Sequence, residues 1–496
     1  MLEPSDITSK QNLFWQWSIP ILLSLFIAIQ YGVCTQDDAF ISFRYAENVA
    51  SGNGLVFNIG EKVEGFSNPL WTFLFVLGAW FGADPVITSV LLGYCSVIFL
   101  GYAGYALSNA LHVTKGYHWL IASILLIDPS MLLEGVQGLE SVLYAGLITL
   151  AVAKQHTEKE ATQPTFLRST ILWMLASITR PEGPLLYGLS LFALYETKNK
   201  AIWKAIRQSL QYFVVFLLCV TSIRFGYYGD ILPNTFYAKV GGLAITRGLR
   251  YCWQHIQYHP ILWMGIIGGI FQINKKTLAL YVLFWGYILY IIAIGGDFKP
   301  TGRFILPMNG IMSIASVMVF VQLLKKNRGA LVCIVLLHCV SVYFSFTQSM
   351  VWAIDRSNNL QARRIVGEWL EQHTHPDTVL AIHSVGVIPY YAKRKTIDMW
   401  GLTNREIAKT PTANFGTGMA GHEKSNPIYV FSLAPDIYLP EDNVFQPKPV
   451  YQQVETGFPP NFADTYTPFS VQIEGSWLNI WKTKDYKFTT TIKNDL

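Results

Sequence analysis

The sequence predicts a polytopic α-helical membrane protein with a soluble α/β domain at its C-terminal end. Three observations lead there. Hydrophobic residues make up 51% of the 496 and charged residues only 14%, where a soluble chain carries roughly a quarter charged. About eleven segments are apolar and long enough to cross a bilayer, allowing for tilt. From residue 351 onward that pattern stops, and short apolar strands alternate with helical stretches. The expected division is therefore 1–350 in the membrane and 351–496 as a soluble domain.

The expected spans lie near 18–35, 86–107, 117–129, 138–153, 166–179, 184–196, 208–224, 259–273, 277–294, 304–324 and 329–349. The first has a polar flank and no small-residue cleavage site after it, so it reads as an uncleaved helix. Residues 69–82 start after Asn68-Pro69 and stop at Gly82-Ala83-Asp84-Pro85. They are expected to form an interfacial helix inside a long first loop, about 36–85. Basic residues set the orientation. Lys10, Lys115, Lys154, Lys159, Arg168, Lys198, Lys200, Lys204, Arg207, Lys275-Lys276, Lys325-Lys326 and Arg328 fall in alternate loops, which predicts an inside N-terminus and an outside C-terminal domain. Aromatic residues at 14% suit interfacial belts.

In the tail, Thr378–Ile382, Thr396–Asp398 and Pro435–Leu439 are expected strands, and Asn426-Pro427 opens a helix. The net charge of +5 gives no reason to expect nucleic acid. Six cysteines show no spacing for zinc or for a disulfide framework. Internal repeats, a Gly-rich phosphate loop and low-complexity tracts are absent from the sequence.

The polar clusters that topology does not require all fall on the expected outer side. Asp37-Asp38 follows the first span directly, and adjacent carboxylates at a membrane helix are costly. As one of two neighbouring carboxylates, each raises the other's pKa, which suits a general base, with or without a divalent cation. The bland alternative is a helix cap. Arg44, Arg180, Arg224, Lys239, Lys299 and Arg303 run against the topology rule. Singly each could anchor or pair; together they could hold a phosphate. Arg303, just after Gly295-Gly296-Asp297, is the best single candidate. Glu140 and Glu182 could hold a sugar hydroxyl or balance an arginine. Asn68, Asn234 and Tyr237, with Asp297, have the chemistry for substrate contacts. His383 and Gly421-His422-Glu423-Lys424 have no second ligand at metal spacing and read as structural.

Several of these runs resemble a known family. Asp37-Asp38-Ala39-Phe40-Ile41-Ser42-Phe43-Arg44-Tyr45, Gly54-Leu55-Val56-Phe57-Asn58 and Val63-Glu64-Gly65-Phe66-Ser67-Asn68-Pro69-Leu70-Trp71 resemble the start of a bacterial GT-C glycosyltransferase family. That family includes the terminal arabinofuranosyltransferase of actinobacterial cell-wall arabinan and relatives in lipopolysaccharide and other envelope systems. Gly138-Leu139-Glu140, Thr179-Arg180-Pro181-Glu182-Gly183, Pro233–Lys239, Gly295–Phe298, Gly302-Arg303-Phe304, Ile388–Tyr391, Ile397–Leu402 and Gly421–Lys424 also fit.

The resemblance implies a helical membrane bundle whose first outer loop holds the catalytic acid, plus an extracytoplasmic domain. It implies a polyprenyl-monophosphate sugar as donor, inverting transfer to an envelope glycan, and a place in the bacterial cytoplasmic membrane. It favours Asp37 as the base, with Arg44, Arg180, Lys239 and Arg303 on the donor phosphate. The sugar, a pentofuranose among the candidates, does not carry over. The tail is expected to help hold the acceptor. Two rivals are a flippase of lipid-linked sugar and a non-enzymatic glycan-binding scaffold. A third is a GT-C enzyme acting on lipid A or protein. The flippase would call for charged or broken helices near mid-membrane or inverted repeats, and the sequence gives no sign of either.

Overall fold

The structure is a computed structural model that describes residues 4–112, 118–194, 199–299, 301–326, 329–412, 415–440, 446, 449 and 457–492. Lys115, Lys198, Pro300 and Arg328 lie outside the described residues. The chain divides into two compact units. A helical unit comprises Met1–Cys34, Val86–Thr221 and Leu243–Ile354, and a mixed unit comprises Thr35–Pro85, Ser222–Gly242 and Asp355–Leu496.

Among the described residues, three helices are long and apolar enough to cross a bilayer: Pro85–Leu111, Lys200–Tyr228 and Leu306–Leu323. Shorter apolar helices occupy Gln16–Tyr31, Pro69–Trp80, Leu167–Thr179, Gly183–Phe192, Pro260–Gln272 and Leu278–Ile294. Proline sits at the start of several helices, including Pro85–Leu111 and Pro260–Gly268, where its fixed φ and missing N–H cost nothing. In the helical unit backbones approach closely where side chains are absent. A Cβ on Gly93 would lie 1.5 Å from the Gly135 carbonyl oxygen, so only glycine permits that helix crossing.

One feature runs against the sequence reading. Helices His118–Leu126 and Pro129–Val136 form a broken pair bent by 55°. Pro129 cannot continue the hydrogen-bond ladder, and the Asp128 carboxylate restarts it by accepting from the Met131 N–H at 2.9 Å. Asp128 Oδ2 also lies 3.4 Å from His259 Nδ1.

The mixed unit holds a five-stranded sheet: β1 Val379–Ile382, β2 Lys395–Asp398, β3 Ile437–Leu439, β4 Tyr466–Ile473 and β5 Ser476–Thr483. The order is β2-β1-β3-β5-β4. β1 runs parallel to β2 and β3, while β5 is antiparallel to β3 and β4. The three strands expected from sequence fall within two residues of β1, β2 and β3. The β4–β5 hairpin was not expected; its turn is Glu474-Gly475, both at positive φ, without the Asn-Gly or Asp-Gly that marks such turns.

Alternation along β1 divides its side chains between two cores. Leu380 and Ile382 pack with Ile41, Tyr45, Phe57 and Phe66. Ala381 packs with Ile397, Tyr438, Phe462 and Trp481. The segment after the first span thus shares one core with the tail sheet. Helix Asp37–Ala50 supplies Ile41 and Tyr45, four residues apart and so on one helix face.

Candidate active site

The helical unit gathers one set of the sequence candidates. Arg180 follows helix Leu167–Thr179, Glu140 precedes Ser141–Lys159, and Glu182 precedes Gly183–Phe192. Arg180 Nη1 donates to Glu140 Oε1 at 2.8 Å, and its Nε and Nη2 donate to the two Glu182 oxygens at 3.2 Å each. All three side chains are buried. Both glutamates therefore balance an arginine, one of the two roles open from sequence.

Arg303 donates from Nε to Asp297 Oδ2 at 2.8 Å. Asp297 is placed by a reversal at Gly295 and Gly296, both with positive φ. A Cβ on Gly296 would come within 2.4 Å of the Tyr251 ring, so the turn requires glycine there.

The two arginines meet on one ring. The Arg180 guanidinium carbon lies 4.9 Å from the Phe304 centroid, and that of Arg303 lies 5.2 Å from it. Tyr144 is 5.9 Å from Arg180, and Tyr287 lies within electrostatic reach of Arg180 and Glu182. Among the described residues the fully buried Tyr144 and Tyr287 hydroxyls have no hydrogen-bond partner. Glu134 accepts from Thr301 at 2.7 Å through one oxygen, and the other has no partner among the described residues. Buried polar groups without partners cost roughly 1–3 kcal/mol each. Such a cluster beside two stacked arginines is what a polar ligand would satisfy.

The mixed unit gathers the other candidates. Asp37 and Asp38 open helix Asp37–Ala50, and both are half-buried. Asp37 accepts from the Gly386 and Val387 N–H groups at 3.0 Å each and pairs with Arg363 Nη1 at 2.8 Å. A Cβ on Gly386 would lie 1.9 Å from the Asp37 carbonyl oxygen. The loop after β1 therefore fits against the start of that helix only with glycine.

Arg44, one of the expected phosphate set, has its donors turned to backbone carbonyls. Its Nε donates to Phe57 O (2.8 Å), Nη1 to Pro389 O (2.9 Å) and Nη2 to Arg394 O (2.8 Å), with Asn58 Oδ1 at 3.3 Å. The guanidinium also lies 4.3 Å over the Phe57 ring. Burial lowers its pKa to about 10, against the opposing charges of Tyr45, Glu47 and Glu61. It acts as a strut between the first-loop segment and the tail, with its donors taken by carbonyls.

Asn234 also serves the fold, donating to the Gly401 and Leu402 carbonyls at 2.7 and 2.9 Å. The Asn68 side chain accepts from Ser42 and Thr72. Tyr237 donates to Asp230 at 2.8 Å, and Arg224 pairs with Glu64. Lys239 is exposed, and its stem runs along Gly421. Among the described residues no group of three or more His, Cys, Asp or Glu could hold a metal ion.

Three participants escaped the sequence reading. Arg363 lies in an ordinary charged helical stretch and gave no signal. Phe304 sat in a motif noted for its arginine. Glu134 did give a signal, as an acid in the apolar run Leu132-Leu133-Glu134.

The fold is similar to those of two solved proteins, ArnT and an oligosaccharyltransferase. ArnT from Cupriavidus metallidurans in the apo state superposes with a TM-score of 0.60 at 12% identity, covering 96% of this chain and 98% of that one. The same protein bound to undecaprenyl phosphate gives 0.55 at 11% identity over the same shares. The Archaeoglobus fulgidus oligosaccharyltransferase tethered to an acceptor peptide gives 0.53 at 9%, covering 78% of this chain and 64% of that one.

The sequence relatives are more particular. A protein named terminal beta-(1->2)-arabinofuranosyltransferase from Corynebacterium glutamicum is 25% identical over 377 residues, 64% of this chain and 52% of that protein. Its namesake from Mycobacterium tuberculosis is 29% identical over 231 residues, 43% of this chain and 36% of that one. The chain thus spans about half or less of the length of these curated relatives. Residues 352–490 match a domain of unknown function (DUF8728).

Proposed function

We propose that this chain is a membrane glycosyltransferase that moves a sugar from a polyprenyl-phosphate carrier to a hydroxyl of an envelope glycan. The observation that carries the reading is the pair Arg180 and Arg303 on the Phe304 ring, beside buried tyrosine hydroxyls without partners among the described residues. It occurs in a fold shared with a protein solved with undecaprenyl phosphate. The names of the sequence relatives make arabinofuranose the first sugar to test.

In this reading Arg180 and Arg303 bind the donor phosphate and stabilise the charge that grows on it as the glycosidic bond breaks. Their carboxylate partners hold the guanidinium planes in place, and Tyr144 and Tyr287 donate to phosphate or sugar oxygens. The Asp37–Asp38 pair supplies the base. One carboxylate takes the acceptor hydroxyl's proton as that oxygen attacks the anomeric carbon opposite the leaving phosphate, which inverts the centre. Arg363 and the Gly386 and Val387 N–H groups hold the Asp37 carboxylate in place. Lys239, exposed, remains available to the acceptor or donor phosphate. The reading includes about eleven crossings, an inside N-terminus, and chemistry on the outer side of the bacterial cytoplasmic membrane.

A second reading, export of a lipid-linked sugar, draws on the broken helix pair and the buried Asp128–His259 contact. One experiment separates the two. Purified full-length protein is given radiolabelled polyprenyl-phosphate sugars and an envelope glycan, in detergent and in sealed vesicles. Transfer that Asp37→Asn or Asp38→Asn abolishes while donor binding persists supports the transferase and names its base. Movement of donor across vesicles without transfer would replace it with the exporter.

A further inference from the structure

We infer that the loops at the carboxyl ends of β1 and β2 form an acceptor-sugar subsite, with the Trp400 ring as the stacking platform for one uncharged sugar residue of the glycan. This rests on the transferase reading and adds where the acceptor is held.

The sheet topology singles out this end of the strands. The chain leaves β1 for β2 on one side, while β3 pairs with β1 on the other. The order of the parallel strands therefore reverses at β1. In open α/β sheets, ligands sit outside the carboxyl ends of the strands at such a reversal. His383 is the first residue past β1, and Trp400 is the second past β2.

Trp400 itself is held in a fixed presentation. Asp398, the last residue of β2, is fully buried and accepts from the Trp400 and Gly401 N–H groups at 2.9 Å each and from the Thr403 N–H at 2.7 Å. This carboxylate fixes the backbone that carries the indole. The ring has His383 at 5.3 Å and His422 at 4.2 Å, the latter edge-on. Fixed on two sides, Trp400 is nevertheless only half-buried, although packing alone would favour covering so large an apolar surface. A rigid, part-exposed indole flanked by imidazoles can take the apolar C–H face of a sugar while polar neighbours address its hydroxyls.

The same loop also reaches the acids. The loop that begins at His383 ends at Gly386 and Val387, whose N–H groups bind Asp37. Gly386, three positions after His383, thus reaches the candidate base Asp37 directly. The loop bearing His422 is closed by Glu423, which accepts from the Gly416 and Gly418 N–H groups. Lys239 lies along its Gly421.

The test measures equilibrium binding of a tritiated arabinofuranose oligosaccharide to the full-length protein, together with the KM values for acceptor and donor. Trp400→Ala is expected to weaken oligosaccharide binding and raise acceptor KM about tenfold, with donor KM unchanged, while Trp400→Phe stays within about threefold. If Trp400→Ala binds the oligosaccharide like the native protein, or changes donor and acceptor equally, the subsite is wrong. Should Trp400→Ala fail to fold, His422→Ala must weaken acceptor binding, and native binding by that variant overturns the proposal. Native protein that binds oligosaccharide but never transfers sugar would sink the transferase reading and leave the subsite standing. Native transfer with unaltered binding by Trp400→Ala would do the reverse.

Discussion

Arg180 and Arg303 in the helical unit and Arg44 in the mixed unit look alike in sequence, as cations where the topology rule expects few. The structure treats them oppositely. The first two face carboxylates and share an aromatic ring. Arg44 faces backbone carbonyls of three separate segments. A carboxylate holds a guanidinium in the plane and charge state that also suit a phosphate. A carbonyl uses up the donor to tie chain to chain. The difference teaches that an out-of-place arginine marks a ligand site only when anions answer it.

The largest test of this division concerns the mixed unit's acids. Replacing the true base by asparagine should lower kcat by about 10²–10⁴-fold with donor affinity intact, the usual weight of a positioned base. Asp37→Asn carries a further signature. Its amide nitrogen would face the Gly386 or Val387 N–H, so the thermal midpoint should also fall. A drop in kcat on Asp38→Asn without that loss of stability assigns the base to Asp38.

Arg44→Ala comes next and should break the comparison if it is false. It removes donors to three carbonyls and a ring contact, and hydrogen bonds from charged groups are worth ~1.5–3 kcal/mol each. We expect about 3 kcal/mol less stability in denaturant melts, with donor KM unchanged in the folded fraction. A selective rise in donor KM would return Arg44 to the phosphate set.

Much of this was legible from the residues. Hydrophobicity outlined apolar helices, and Thr378–Ile382 announced β1 because a buried parallel strand is a continuous apolar run. Asp37, Arg180 and Arg303 stood out because charge beside hydrocarbon is costly. What the sequence hid depends on distant partners. Nothing near Arg44 says that Pro389 and Arg394 will receive its donors, and nothing near Asp37 names Arg363. The break at Asp128-Pro129 was written in the sequence as an acid before a proline, but an apolar run on either side masked it. Asn234 looked like a substrate contact because an amide suits a sugar hydroxyl and a loop carbonyl equally well.

The mixed unit's titratable groups sharpen the contrast through pH. Burial pushes the His383 imidazole down to about 4, with the charge of His422 adding to it, against roughly 6.5 in an unfolded chain. Between those values the unfolded chain binds a proton that the folded one refuses. The stability is complete above about pH 6.5 and is lost as pH falls toward 4, by up to about 2 kcal/mol at pH 5. Asp398 acts in the opposite sense. Burial raises it to about 6 against its backbone hydrogen bonds, so the folded state takes up its proton first and acid relieves a cost. Because the two partly cancel, the native melting curve should be shallow in pH between 5 and 7. His383→Phe keeps a ring against Trp400 and removes one side of the balance. That variant should gain stability relative to the native protein as pH falls from 7 to 5, and an unchanged difference would show that His383 does not titrate there.

The smallest expected effect is the most direct probe of what a phosphate site requires. Arg303→Lys preserves the charge near Asp297 but replaces a planar fork, stacked on Phe304, with a point charge on a flexible stem. Thermal stability should change little, because an ammonium can still pair with the Asp297 carboxylate. Donor KM should rise about tenfold and acceptor KM should not move, the factor that a loss of ~1.4 kcal/mol gives. Arg180→Lys is the less clean companion, since Arg180 spans two buried glutamates and a lysine would leave one of them unmatched, at a cost of several kcal/mol. If Arg303→Lys instead lost stability with donor KM intact, Arg303 would be a strut like Arg44, and the distinction between carboxylate-held and carbonyl-held arginines would fail where it is most exposed to test.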